Sequence, residues 1–178
     1  MKRTPHTFSK RTAPTRMYTL KVTLIEGPVT HDFAGNNPEV SRTIRIGGTL
    51  TLADFHREIL RAFDRTDDRP YEFQFDHPSP NTGKQCFSLP NECRDIYGAP
   101  IDTGDAAKTT IDSIGLVAGD HFGYWFDFIC VWLHRITVLS VADTTVSGGV
   151  PVPEAPVTVE QIGDSPPQRP GSGDLVTV

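Results

Sequence analysis

The feature that most constrains the fold is an aromatic-rich segment in the second half of the chain, residues 122–141. It contains both tryptophans of the protein and a single acid, Asp127, among apolar residues. Its most apolar part, residues 122–133, is 12 residues long and includes that acid, so it is too short to span a bilayer. The segment instead predicts two β-strands, around residues 122–128 and 131–141, that bring aromatic side chains to a core.

Charge and composition divide the chain into a body and two tails. The net charge is −5 over 178 residues, which argues against a broad nucleic-acid-binding surface. Residues 1–16 carry no acid and are interpreted as a disordered basic arm. Its five cations, which can contact phosphate, are Lys2, Arg3, Lys10, Arg11 and Arg16. Residues 142–178 are rich in Pro and Gly and are predicted to form a disordered tail, which leaves residues 17–141 as the folded domain.

The chain is expected to be cytoplasmic. Its three cysteines, Cys86, Cys93 and Cys130, show neither a disulfide framework nor a zinc-ligand spacing. No apolar leader of the kind that directs secretion follows Met1, and no membrane contact is predicted. The sequence also contains no nucleotide, phosphate or zinc motif, so neither a cofactor nor a metal is expected.

The first half of the domain predicts two strands and a helix. Apolar and polar residues alternate from Tyr18 to Leu24 and again from Val40 to Ile46, as in half-buried strands. Thr51 and Asp54 then form a pair like a capping box, which marks the start of a helix. One face of that helix is apolar and consists of Leu52, Phe55, His56, Ile59, Leu60 and Phe63.

The second half adds a third strand, a long excursion and a short helical turn. The strand covers residues 71–76, and the Pro- and Gly-rich excursion covers residues 77–108. Residues 110–114 are predicted to form one helical turn that ends at Gly115. Together with the two aromatic strands, this order predicts an α+β fold in which one main helix packs on a mixed sheet, with a β-grasp (ubiquitin-like) topology.

Several short motifs occur along the domain in a recognisable order. They are Arg42 on the second strand, residues 52–56 (Leu-Ala-Asp-Phe-His), residues 71–73 (Tyr-Glu-Phe), the turn Gly119-Asp120, and residues 124–128 (Tyr-Trp-Phe-Asp-Phe) followed by Trp132 and His134. This combination resembles the plasmid pRiA-type Orf-three-like family, also labelled the passenger TnpR family of an insertion element. The resemblance covers about residues 17–141 and implies an association with mobile elements but no defined activity.

One departure from the family pattern bears on function. Relatives carry Gly-Asp after the Asp-Phe pair, whereas this chain has Ile129-Cys130. If those two positions contribute to a polar site in the family, that site is missing in this chain, and Cys130 is expected to pack as a small apolar residue.

Five residues are candidates for a ligand-binding site: Arg42, His56, Asp127, Trp132 and His134. The carboxylate of Asp127 is either an acid/base or binding group, or it accepts hydrogen bonds from the backbone or an arginine. His56 lies on the apolar helix face and is predicted to contact a carboxylate from a strand, with Asp127 as one possible partner. His134 is either a core histidine or a ligand contact.

Arg42 either pairs with an internal acid or is an edge-strand charge that discourages aggregation. A metal would require His56, Asp127 and His134 to converge, and no recognised motif supports this alternative. No catalytic residue is assigned.

Three functions remain open at this point. The first is a non-catalytic binding or adaptor module whose partner is a protein. The second is a small-ligand-binding or hydrolytic domain that uses Asp127, His134 and His56. The third is a nucleic-acid-associated protein that acts through the basic arm. Candidate side chains that line one cleft would favour the second function, and scattered positions would favour the first.

Overall fold

The computed structural model describes residues 16–66, 68–76, 84–90, 104–144, 153–169 and 175–177. These residues form ten strands and three helices. In chain order the elements are β1 (Arg16–Glu26), β2 (Pro28–Thr30), α1 (His31–Asn36), β3 (Ser41–Gly47), α2 (Leu52–Ala62), β4 (Tyr71–Asp76), β5 (Lys84–Ser88), β6 (Gly104–Asp105), α3 (Ile111–Ile114), β7 (His121–Phe126), β8 (Trp132–Asp143), β9 (Val157–Ile162) and β10 (Leu175–Thr177).

The prediction of an α+β fold with one main helix on a β-grasp sheet is wrong. The structure is mainly β and is dominated by an eight-stranded mixed sheet in the order β6-β5-β4-β7-β8-β1-β3-β9. All three helices are short, and the longest, α2, has 11 residues. The error arose because the order of strands along the chain does not determine which strands are neighbours in the sheet.

Most of the predicted strands and helices of the domain are confirmed, but the excursion predicted over residues 77–108 supplies β5 and β6 to the sheet, and β2 and α1 were not predicted. The two leading strands pair antiparallel, with Tyr18 opposite Ile46. Helix α2 begins with a capping box in which Thr51 and Asp54 each accept a hydrogen bond from the other's backbone N–H. Helix α3 ends at Gly115, whose φ of 78° is the left-handed conformation that glycine adopts at low cost.

The aromatic strands β7 and β8 are central strands of the sheet. They pair with each other, with Tyr124 opposite His134, and β8 also pairs with β1. On one face of the sheet, alternate residues of these strands join a single apolar core with the buried side of α2. Its largest members are Tyr18, Phe55, Phe63, Tyr71, Phe73, Tyr124, Phe126 and Trp132.

The predicted tail contributes a strand to the sheet, so its description as disordered is wrong for residues 157–162. These residues form β9, which pairs antiparallel with β3 at the edge of the sheet. Most of its side chains are exposed, so the sequence lacks the half-buried alternation by which strands are recognised. Residues 1–15 of the basic arm lie outside the described residues.

Within the parts of the chain that the structure describes, no helix is long and apolar enough to cross a membrane.

The capping box gives a direct test of how α2 begins. Thr51→Ala removes the hydroxyl that accepts from the N–H of Asp54, so we expect the free energy of unfolding to fall by about 1 kcal/mol. Thr51→Ser keeps a hydroxyl at the cap and is expected to stay close to the wild-type value. Urea titrations followed by circular dichroism measure both, and equal stability of the alanine and wild-type proteins would contradict the assigned cap.

Candidate functional site

The five predicted site residues are all buried. Arg42 lies on β3, His56 on α2, and Trp132 and His134 on β8, whereas Asp127 follows the last residue of β7. Each makes a different set of contacts.

Arg42 uses its guanidinium to bind backbone carbonyls. Its Nε donates to the carbonyl of Ala62 at the end of α2 (2.7 Å), and its Nη1 donates to Ser41 (2.7 Å) and Ile162 (2.9 Å). The group also lies over the ring of Phe63, 4.8 Å from its centroid. Burial lowers the pKa of Arg42 from its ordinary value. These hydrogen bonds connect β3 to α2 and β9. Arg42 is therefore neither an edge-strand charge at the surface nor the partner of a single internal acid.

His56 contacts a carboxylate, but the partner is Asp68, in the connection between α2 and β4, and not Asp127 or an acid of a strand as predicted. Its Nε2 lies 3.0 Å from Oδ1 of Asp68, and its Nδ1 lies 2.8 Å from the hydroxyl of Tyr124. A carboxylate only accepts hydrogen bonds, so the network assigns the ring proton to Nε2 and makes Tyr124 the donor to Nδ1. The imidazole also stacks on Tyr71, with ring centroids 3.6 Å apart.

The order carboxylate, imidazole and hydroxyl is that of an acyl-transfer triad, but its chemistry here is different. Burial lowers the pKa of His56 to about 4, so the ring is a weak base. Burial also raises the pKa of Tyr124 well above its ordinary value, and its hydroxyl lies inside the core. A substrate has no access to this oxygen, so the network fixes α2 against β7 instead of activating a nucleophile.

Asp127 shapes the turn between β7 and β8. Its φ of 52° is in the left-handed region, which aspartate tolerates better than most residues. Its carboxylate accepts hydrogen bonds from the N–H groups of Ile129 (3.2 Å) and Cys130 (3.3 Å). Of the two roles considered for Asp127 from the sequence, this is the one in which it accepts hydrogen bonds from the backbone. The Ile129-Cys130 departure lies in this turn. The side chain of Ile129 is 90% exposed, and Cys130 packs against the core.

Trp132 is fully buried beside two residues that the sequence did not single out. The guanidinium of Arg65 lies 3.9 Å from the centre of its ring. A Cβ added to Gly27 would come within 2.2 Å of the indole, so only glycine fits at that position. This packing identifies Trp132 as a core residue.

His134 also packs in the core, with its ring 5.1 Å from that of Phe63 in an edge-on arrangement. Neither ring nitrogen makes a well-formed hydrogen bond with the described residues, although the backbones of Tyr124 and Trp132 lie close enough to oppose the lowering of its pKa. Burial and the charge of Arg65 lower the pKa of His134 to about 3, so the ring is neutral at physiological pH. Within the described chain, no three His, Cys, Asp or Glu side chains converge as ligands for a metal, so the set His56, Asp127 and His134 does not form one.

The phosphate-binding prediction for the basic arm concerns mainly Lys2, Arg3, Lys10 and Arg11, which lie outside the described residues. Arg16 is the exception, because it begins β1. Its Nε lies 2.9 Å from the carboxylate of Asp112, which also accepts from the hydroxyl of Tyr18. This cation therefore serves the fold.

A concavity of about 270 Å³ lies on the opposite face of the central strands, where sequence reasoning placed no candidate. Gly123 of β7 is paired with Gln74 of β4 on one side and with Arg135 of β8 on the other. The outward-facing side chains that line the concavity come from Ile25, Gln74, His121, Trp125, Leu133 and Arg135. We call this concavity, with Gly123 at its floor, the open-face groove.

The sequence held one usable signal for this groove. Alternate residues of a strand share a face, so His121, Gly123 and Trp125 lie together on the side of β7 that faces away from Phe122, Tyr124 and Phe126. A glycine inside a strand marks a place where another backbone or a ligand comes close.

Comparisons with known proteins identify relatives of the sequence and the fold. The model of the family described as plasmid pRiA4b ORF-3-like protein matches residues 17–171, which includes β9. No curated protein matches the chain. The crystal structure of a protein of unknown function from Methanosarcina mazei Go1 is similar, with a TM-score of 0.57, 20% identity, and coverage of 84% of this chain and 71% of that chain. At this level of identity the likeness concerns the fold alone.

The buried histidines give a testable dependence of stability on pH. Their pKa values of about 4 (His56) and about 3 (His134) lie below the value near 6.5 of an unfolded histidine. Between these pKa values the unfolded chain binds more protons than the folded chain. The free energy of unfolding is therefore highest above pH 6.5, and this contribution is lost as the pH falls. Each histidine is expected to cost roughly 2 kcal/mol between pH 7 and pH 5.

Replacement of one histidine isolates this effect. We expect His134→Leu to reduce the loss of stability between pH 7 and pH 5 by roughly 2 kcal/mol, because the leucine takes up no proton in the unfolded chain. His31→Gln, at an exposed histidine of α1, is the matched control and is expected to change the loss little. Urea unfolding at the two pH values measures the loss of stability. A loss in His134→Leu equal to that of the wild type would contradict the lowered pKa of His134.

Proposed function

The chain belongs to the plasmid pRiA4b ORF-3-like family, and we propose that it is a non-catalytic binding module whose partner is a protein segment docked in the open-face groove. The observation that carries the proposal is the groove itself, a concavity built on central strands of the sheet. Sites on such elements hold their side chains more rigidly than sites on loops.

The placement of the polar candidates supports the absence of catalysis. The polar atoms of His56 and Asp127 form hydrogen bonds with other residues of the chain, and His134 packs against aromatic rings. An acid/base pair requires a side chain within reach of a substrate. None of these three side chains is exposed, so a hydrolytic role for them has no support in the geometry.

The electrostatics of the groove favour an acidic partner. Arg135 and His121 are exposed at its rim, and none of the described residues that line it is a carboxylate. Glu72, two residues before Gln74 on β4, uses its carboxylate to accept a hydrogen bond from the amide of Gln74. A carboxylate of a bound segment would therefore be the charge complement of Arg135, which can hold it through two parallel N–H groups.

The apolar part of the groove favours a hydrophobic anchor beside that carboxylate. Trp125 and Leu133 are cross-strand neighbours, and Ile25 of β1 remains 40% exposed next to them. The indole is held from one side by Phe128, with ring centroids 4.7 Å apart. Rigid aromatic surfaces of this kind are typical anchors of protein interfaces. The expected ligand is an extended segment with an acidic and a large apolar side chain.

Filling the floor of the groove tests the proposal. The backbone of Gly123 is not in the left-handed region, and an added Cβ would meet its nearest neighbour, Gln74, at an ordinary 3.5 Å. Gly123→Leu is therefore expected to fold with a stability within about 1 kcal/mol of the wild type while it blocks the groove. Peptides selected from a random display library on the wild-type protein are expected to combine an acidic and a large apolar residue and to bind Gly123→Leu at least tenfold more weakly.

A matched pair of arginine variants tests the charge. Arg135→Ala is expected to weaken the selected peptides at least tenfold and to reduce the salt dependence of their binding, because an ion pair is lost. Arg45→Ala removes an exposed arginine of β3 outside the groove and is expected to leave binding unchanged. Peptides that bind wild type, Gly123→Leu and Arg135→Ala equally well would refute the proposed site.

A further inference from the structure

The open-face groove is bordered on four sides around a patch of bare backbone. Gly123 forms its floor, with Gln74 opposite it on β4 and Arg135 opposite it on β8. His121 and Trp125 lie two residues before and after the glycine and share its face of β7. The volume of about 270 Å³ is slightly below the roughly 300–1,000 Å³ of pockets for drug-sized ligands, so the groove accommodates one large side chain of a bound segment.

The side-chain amide of Gln74 has a defined orientation. Its Nε2 donates to Oε1 of Glu72 at 2.8 Å. A carboxylate only accepts hydrogen bonds, so the NH₂ group of the amide faces Glu72 and the amide oxygen lies on the other side. Glu72 is only 8% exposed, so a buried group holds the amide in this position. An amide that is already ordered loses little conformational entropy when a ligand binds to it.

The amide oxygen of Gln74 lies beside the floor of the groove. It is 3.5 Å from the position that a Cβ on Gly123 would occupy, and no described residue donates a hydrogen bond to it. A purely apolar side chain bound over the floor would separate this oxygen from water without giving it a partner. A side chain that ends in a donor would pair with it instead. The groove therefore favours an anchor that carries a hydrogen-bond donor.

The surroundings of the amide oxygen restrict the kind of donor. Trp125 and Leu133 form apolar walls and the charge of Arg135 repels lysine and arginine, so an aromatic donor fits best. Serine and threonine are too small to fill the groove. Strand spacing places the backbones of β4 and β8 about 10 Å apart, with Gly123 between them. A tyrosine that lies across the glycine matches this arrangement, because its hydroxyl is at one end of the ring and its backbone at the other. The N–H of a tryptophan points from the side of its ring and does not.

We propose that the open-face groove recognises a tyrosine that lies across Gly123 and donates its hydroxyl to the amide oxygen of Gln74, while an acidic side chain next to it in the bound segment pairs with Arg135. The selectivity rests on the proposed binding function of the groove, and it names the side chain that anchors the partner. The tyrosine ring packs beside the indole of Trp125 as an aromatic pair. A phenylalanine makes the same ring contact but leaves the amide oxygen without a partner, so the hydroxyl decides the specificity.

Peptide selection on the wild-type protein tests the preference for tyrosine. Among peptides from a random display library that bind the wild type but not Gly123→Leu, we expect tyrosine at the anchor position at least five times as often as phenylalanine, after correction for codon number. The tightest selected peptide is expected to bind about fivefold better than the same peptide with phenylalanine at the anchor, the ratio for one hydrogen bond between uncharged groups. Groove-binding peptides without this preference overturn the tyrosine assignment alone. If Gly123→Leu blocks no selected peptide, the proposed function itself fails.

A glutamine variant tests which group accepts from the hydroxyl. Gln74→Leu removes the amide oxygen and keeps a side chain of similar size, so we expect the tyrosine peptide to bind it no better than the phenylalanine peptide. Gln161→Leu changes an exposed glutamine of β9 outside the groove and is expected to keep the fivefold ratio. Isothermal titration calorimetry measures the four affinities. A fivefold preference that persists in Gln74→Leu would show that the hydroxyl meets a different acceptor, and the proposal would be wrong.

Phosphorylation of the anchor tests the orientation of the tyrosine without any change to the protein. A phosphate on the hydroxyl replaces the donor by negatively charged acceptor oxygens, which would face the amide oxygen of Gln74. We therefore expect the phosphorylated peptide to bind at least tenfold more weakly than the unmodified peptide. Equal or tighter binding of the phosphorylated peptide would place the tyrosine oxygen at Arg135 and would overturn the assigned contact. This measurement on the wild type decides the matter even if Gln74→Leu does not fold.

Discussion

The buried guanidinium of Arg42 is the interaction on which the arrangement of the structure depends. A buried charge is costly, and no carboxylate of the described residues forms an ion pair with this one, although the charges of Asp64 and Asp164 favour its ionised form. Its compensation comes from carbonyl oxygens, including that of Ala62 at the end of α2, where helix carbonyls lack partners and carry partial negative charge. One planar group with five N–H donors thereby fixes a helix end, its own strand and the segment from Ile162 to Ser165 at the end of β9. A lysine at this position has three donors on a flexible stem and cannot replace it.

The sequence predicted the features that neighbouring residues determine. The capping box at Thr51, the turn at Gly115 and the alternation of β1 and β3 depend on spacings of a few residues, and all three are confirmed. The strand order depends on contacts between β8 and β1, which lie more than 100 residues apart, and local patterns carry no information about them. Strand β9 was missed because its side chains are largely exposed and show no apolar alternation, and it is attached by backbone pairing together with polar side-chain contacts such as Thr43 to Glu160.

The candidate site shows the same limit. A carboxylate was correctly predicted as the partner of His56, because a buried imidazole needs a hydrogen-bonding group, but the prediction that it comes from a strand was wrong. The partner itself, Asp68, lies in the connection after α2, where sequence pattern gives no geometry. The candidate residues were chosen as polar residues among aromatic ones. Such residues lie on the core side of the sheet, where they stabilise the fold. The open-face groove is formed by the alternate residues of the same strands, which face away from the core. In the sequence, the clearest indication of the groove is Gly123, a glycine inside a strand.

The position of β9 also determines whether the edge of β3 is covered or open to pairing with other chains. Cutting the chain at residue 141 would remove β9 and leave the edge of β3 with unpaired N–H and C=O groups, next to side chains such as Ser41 and Thr43 that are now buried. An uncovered edge of this kind is a template for aggregation. Strand β9 acts as a cover for it, and Pro156, which precedes the strand and has no N–H to donate, weakens the new edge as a template in turn. The Pro- and Gly-rich region that follows the aromatic strands thus protects the sheet edge of the domain.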